Sequence, residues 1–152
     1  MNQEDKELLL KDLCSRLPYG IICKYWAKDY AKDCGDFINE DEGKIESISF
    51  TNREVVIGFT CVDLDTNIIK PYLRPMSSMT EEEKEEVSIL LNYEFYIDDD
   101  YALVAEDDRH RIRLDLMQVY IDWLNAHHFD YRGLIPMGLA IEVTEENNPY
   151  KK

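Results

Sequence analysis

Apolar residues along the chain recur at two spacings, every third or fourth position in some stretches and every second in others, and each spacing predicts a different element. From Glu4 to Arg16, Leu9, Leu13 and Leu17 fall four apart beside Leu10 and Cys14, the stripe of an amphipathic helix that Pro18 ends. Tyr19–Trp26 reads YGIICKYW, a short strand of aromatic and β-branched residues. The polar, acidic interval 27–43 has little periodicity and reads as a flexible loop with room for one helical turn. Lys44–Phe50 alternates, Thr51-Asn52-Arg53 supplies a turn, and VVIGFTCVDL follows, so a hairpin is expected here. Its second strand, Val55 to Leu64, has apolar residues at both parities and reads as one central strand covered on both faces.

Pro71 and Pro75 keep KPYLRPMSS extended. Thr80 and Glu83 then have the spacing of a capping box, and Glu81 and Glu82 suit the positive end of the helix that follows, with Asn92 as its stop. Tyr101–Ala105 reads as a strand. From Leu114, the residues Leu116, Tyr120, Trp123, Leu124 and His127 return at helical spacing, with Met117 and Ile121 widening the stripe. Asp130 is an N-cap candidate for a short turn ending at Gly138, and Leu139–Val143 is the last strand before a tail expected to fray. The pattern predicts an α+β fold: a small antiparallel sheet that could close like a barrel, an N-terminal helix, and two further helices packed on it.

At 152 residues, 45% apolar and 11% aromatic, the chain has the size and composition of a single globular domain spanning 1–152. No apolar run approaches the ~20 residues of a membrane span, and the acidic start MNQEDKELLLKD differs from a signal peptide, so a cytoplasmic protein without membrane contact is expected. Cys14, Cys23, Cys34 and Cys61 form no CxxC pair and read as reduced thiols, those in apolar segments acting as small hydrophobes. The 32 acidic residues against 17 basic ones give a net charge of −15, which argues against direct nucleic-acid binding. Acidic runs are ordinarily solvated faces. A narrower reading has them imitate a row of phosphates and occupy the groove of a nucleic-acid-binding protein.

Candidate chemistry concentrates in WLNAHHFDYRGLI, Trp123–Ile135. Trp123, His127, His128, Asp130, Tyr131 and Arg132 could form a partner-binding surface, because aromatic residues and arginine are enriched in binding hot spots. The plainer reading makes Trp123 core, the histidines a helix end, and Arg132 the partner of a carboxylate. Adjacent histidines on a helix point about 100° apart and cannot both grip one ion comfortably. A metal-assisted enzyme using His110, His127, His128 and Asp130 therefore needs ligands brought from elsewhere. DLDTN at Asp63–Asn67 lacks the glycine and glutamate of a calcium loop, Ser77 and Ser78 lie in no nucleophile elbow, and no glycine-rich phosphate loop occurs. Neither a catalytic residue, a metal site nor a cofactor is assigned.

IKPYLRPMSSMTEEEKEE (Ile69–Glu86), IDWLNAHHFDYRGLIPMGLAIE (Ile121–Glu142) and the opening EDKELLLKDLCSRLPYG resemble a group of uncharacterised small proteins of gut-bacterial phages and mobile elements. The resemblance implies an accessory role in a mobile element and brings no activity, cofactor or catalytic residue with it. The expected function is a non-enzymatic accessory protein that binds a host or phage protein.

Overall fold

A computed structural model describes residues 1–28, 37–91, 95–105 and 114–151. Asn92, Cys34, His110 and the acidic run at 106–108 lie outside them. The chain forms two compact units, one built from Met1–Leu73 with Arg132–Lys152 and the other from Arg74–Tyr131. Together they make an α+β protein. Among the described residues, no helix is long and apolar enough to cross a membrane.

In the first unit, α1 (Gln3–Arg16) starts where the Asn2 side chain accepts the Asp5 N–H, and it gives way at Pro18 to a 3-10 turn over Leu17–Tyr19. Six strands follow: β1 (Ile22–Lys28), β2 (Phe37–Ser49), β3 (Glu54–Ile57), β4 (Thr60–Asp63), β5 (Ile68–Leu73) and β8 (Ile141–Glu142). Their order is β4-β3-β2-β1-β5-β8, antiparallel except for the parallel β5–β8 pair. The sheet is therefore open, with β4 and β8 as its edges, and does not close like a barrel. Leu9 and Leu13 of α1 pack with Cys23, Tyr25, Val55 and Ile69 from one sheet face in a continuous core.

Three expectations are corrected here. The interval 27–43 is not a loop throughout, because β1 extends to Lys28 and β2 begins at Phe37. Its acids become strand residues through cross-strand partners: Lys24 pairs with Glu40, the Trp26 indole N–H donates to Glu40 at 3.0 Å, and the Tyr72 hydroxyl donates to Glu42 at 2.8 Å. Val55–Leu64 is not one central strand. Gly58, at φ +58°, reverses the chain, so β3 and β4 form a tight hairpin with Val55 facing Val62, while Cys61 lies exposed on the edge strand rather than in the core.

The third correction concerns the C-terminal tail, which docks rather than frays. The Ile22 N–H donates to the Tyr150 hydroxyl at 3.3 Å, and that hydroxyl donates to the Tyr72 carbonyl at 2.9 Å. It bridges β1 and β5 just beyond Cys23 and Pro71, the last pair of their ladder. Burial raises the Tyr150 pKa well above its ordinary value, the Ile22 N–H opposing.

The second unit contains α2 (Glu81–Leu90), the antiparallel pair β6 (Phe95–Ile97) and β7 (Leu103–Ala105), and α3 (Leu114–Ala126). The capping box is present: Thr80 accepts the Glu83 N–H and Glu83 accepts the Thr80 N–H. Val87 and Leu91 pack with Phe95, Ile97, Tyr120, Trp123 and Phe129 in this unit's core.

Candidate functional site

The sequence-predicted residues in the second unit are used to end α3 and build the core. The His128 N–H donates to the Asn125 carbonyl at 3.2 Å and the Phe129 N–H to the Leu124 carbonyl at 2.9 Å, the two bonds of a Schellman closure. His128 takes the left-handed position of that closure at φ +59°, where glycine is usual, and is buried. The chain then pairs with Arg74, whose N–H donates to the His128 carbonyl at 2.8 Å and whose carbonyl accepts the Asp130 N–H at 2.7 Å. Asp130 is buried there, and turns rather than a regular helix follow it among the described residues. Gly138 closes the expected short turn, through Gly138 N–H to Ile135 and Leu139 N–H to Leu134, both 2.9 Å.

Four side chains stack in sequence. The Arg74 guanidinium lies 4.2 Å over Phe129, Phe129 lies 5.6 Å from Trp123, and Trp123 lies 4.0 Å from His127. Arg74 also grips Glu83 with two bonds of 2.7 and 2.9 Å. Burial works to raise the Glu83 carboxyl, but bonds from Arg74 and Thr80 outweigh it and hold its pKa below the usual range. Trp123 is 6% exposed, with its indole N–H on Glu86 at 3.1 Å, and the Tyr131 hydroxyl donates to Asn125 at 3.1 Å. Arg132 belongs to the first unit, where its Nε lies 3.2 Å from the Asp12 carboxylate. The six candidates therefore serve packing, capping and pairing. No group of three metal-ligating side chains occurs among the described residues, and His110 lies outside them.

Asp12 also anchors a network that sequence reading missed. Asp12 and Arg16 are both 0% exposed on α1, joined at 2.8 and 3.1 Å. Nearby, burial and the Asp12 charge raise the Cys23 thiol well above its ordinary value, with Arg16 opposing. A protonated thiol sealed in the core is a packing group rather than a nucleophile.

The first unit's outer surface carries a different arrangement, a notch beside β2. Tyr25 and Ile57, both buried, form its floor, and the exposed residues Asp41, Glu42 and Glu46 also line it, Glu42 with its carboxylate taken by the Tyr72 hydroxyl. At its mouth stands Phe59, 109% exposed at the tip of the β3–β4 hairpin. Gly43 belongs to the floor, since a Cβ there would meet Ile57 Cγ2 at 2.8 Å. No protein-family model matches the chain, and neither does any curated protein or solved structure.

Proposed function

We propose that this chain is a non-enzymatic accessory protein of a phage or mobile element that acts by binding another protein, with the notch at Phe59 as its contact surface. The observation carrying the reading is Phe59, a phenylalanine held wholly in water beside an apolar floor and acidic residues. An isolated exposed apolar residue is ordinary. An aromatic beside an apolar hollow with acids around it has the arrangement of an interface, aromatics being enriched at its core and polar groups at its rim. The quoted resemblance to mobile-element proteins supports the setting, and the lack of a catalytic motif in the sequence supports the non-enzymatic part.

The test is affinity capture from bacterial lysate with the full chain and its Phe59→Ser variant in parallel, followed by quantitative mass spectrometry. Because Phe59 contributes nothing to the core, the variant should keep the circular dichroism spectrum and melting temperature of the parent. A protein enriched by the parent and depleted with the variant is the expected result. Identical captured sets would overturn the assignment of the surface. The phosphate-mimic reading adds a narrower expectation, that the captured protein binds nucleic acid and is released by competing DNA.

A further inference from the structure

We infer that the edge of β2 from Glu40 to Lys44 receives an extended, basic segment of a partner protein as an added strand, with Phe59 and the notch floor covering its apolar side chains. This rests on the protein-binding reading above and specifies how the partner docks.

The backbone supplies the first argument. The Ile45 N–H donates to the Ile21 carbonyl at 3.0 Å, so Ile45 faces β1 with its hydrogen-bonding groups. Those groups alternate in direction along an antiparallel ladder. In the observed register, with Cys23 opposite Gly43 and Tyr25 opposite Asp41, Gly43 and Asp41 also face β1. Glu40, Glu42 and Lys44 consequently direct their N–H and C=O groups away from it. On that side β3 begins pairing only at Ile45, opposite Ile57, and no described strand lies beside Glu40–Lys44. A register shift between Ile45 and Ser47 bends β2 where the pairing changes, which leaves the notch. One outward donor is already occupied: the Glu42 N–H is taken by the Asp41 side chain at 2.8 Å. A strand edge with an adjacent side-chain pocket is the geometry of strand addition, in which main-chain bonds give affinity and pockets for alternate side chains give specificity.

Charge identifies the occupant. Asp41 and Glu46 stand on this stretch beside Glu40 and Glu42, whose carboxylates are engaged by Lys24 with Trp26 and by Tyr72, and Lys44 lies against Gly20, 3.0 Å from where a Cβ would stand. Lysine or arginine side chains on an added strand would lay their stems on Tyr25 and Ile57 and their heads among the carboxylates. A second copy of the chain would bring −15 against −15, so a basic partner is favoured over self-pairing.

The experiment titrates the full chain with a nine-residue peptide alternating lysine and valine, and with a control alternating glutamate and valine. Binding is read by fluorescence anisotropy at two salt concentrations, and amide hydrogen exchange by NMR. The lysine peptide should bind, weaken with salt, and slow exchange at the Glu40 and Lys44 amides, while the glutamate peptide should not bind. Lys44→Pro removes an outward donor without touching the β1 ladder and should weaken binding about tenfold, the effect of one well-placed hydrogen bond. Should that variant fail to fold, exchange in the unmutated chain decides alone. Equal binding of both peptides, or binding without slowed exchange at Glu40 and Lys44, would overturn the inference. A dimer in sedimentation with those amides already protected would overturn it in favour of self-pairing. Phe59-dependent capture without peptide protection would sink strand addition and leave protein binding standing, whereas protection without Phe59-dependent capture would do the reverse.

Discussion

Replacing Asp12 by asparagine should destabilise the first unit far more than its single lost charge on a helix suggests. Asp12 and Arg16 are spaced i,i+4 on α1, and an exposed pair of that kind contributes only ~0.3–0.5 kcal/mol. Both side chains here are 0% exposed, and two bonds of 2.8 and 3.1 Å join them. Asparagine preserves shape but removes the carboxylate charge that faces the buried Arg16 guanidinium. Breaking a buried pair from one side costs about 3–5 kcal/mol, a large part of the ~5–15 kcal/mol that holds a domain together. Arg132, the second arginine on Asp12, is 29% exposed and can turn to water, so Arg132→Ala should cost under ~1 kcal/mol. The double variant Asp12→Leu/Arg16→Met removes both charges and should recover most of the loss. Each compact unit contains one of the two tryptophans, Trp26 in the first and Trp123 in the second. Urea unfolding followed by fluorescence in a Trp123→Phe background therefore reports on the first unit, which matters because two cores need not melt together. An Asp12→Asn loss below ~1 kcal/mol, or a double variant worse than the sum of its parts, would refute the reasoning.

Four further outcomes are expected. Trp123→Ala should cost about 3–5 kcal/mol in urea melts of the second unit, whereas His127→Gln, which removes one ring from the end of the stack, should cost no more than ~0.5–1.5 kcal/mol. Tyr150→Phe should cost about 1–3 kcal/mol by leaving the Ile22 N–H and Tyr72 carbonyl without their bridge, seen as faster exchange at the Ile22 amide. The Glu83 pKa is depressed in the folded state, so its contribution is present above the ordinary carboxylate pKa and is lost as pH falls through the lower folded value. Acid titration of stability should show that loss in the parent and lack it in Glu83→Gln. Gly43→Ala should cost about 1–3 kcal/mol because its methyl would press on Ile57, measurable as a lower melting temperature.

The helices were legible because their signals are local. The Thr80–Glu83 capping box, the leucine stripe of α1 and the spacing from Leu116 to Trp123 are each contained within a few turns of chain, and the structure uses each as expected. What escaped depends on partners distant in sequence. The acids of β2 disfavour strand by composition, and only cross-strand contacts with Lys24, Trp26 and Tyr72 make a strand of them. Val55–Leu64 looks continuous because Gly58 interrupts it with no polar neighbour, yet that residue's positive φ turns one strand into two. The spacing of Asp12 and Arg16 was visible, but an i,i+4 ion pair is ordinarily exposed and nothing local announces its burial.

The same distinction separates WLNAHHFDYRGLI from the notch. WLNAHHFDYRGLI draws attention by chemical richness, but its Trp123, His127 and Phe129 stack with Arg74 from outside the stretch in a core where the helix ends and turns back. The notch is made of residues with little to distinguish them in a sequence, among them glycines, a phenylalanine, an aspartate and two glutamates, and they stand together beside a stretch of β2 whose side away from β1 no described strand pairs. Acids on a strand edge have a defensive use, since charge discourages unwanted pairing. Defence alone gains nothing from a phenylalanine held in water beside that edge, because an exposed aromatic invites the association that the charges deter. Charge that repels most strands and an aromatic that rewards contact both have a use under the strand addition proposed above, where the permitted strand is basic. The acids then exclude self-pairing and select the partner at once, and Phe59 supplies the apolar contact that a purely electrostatic edge would lack.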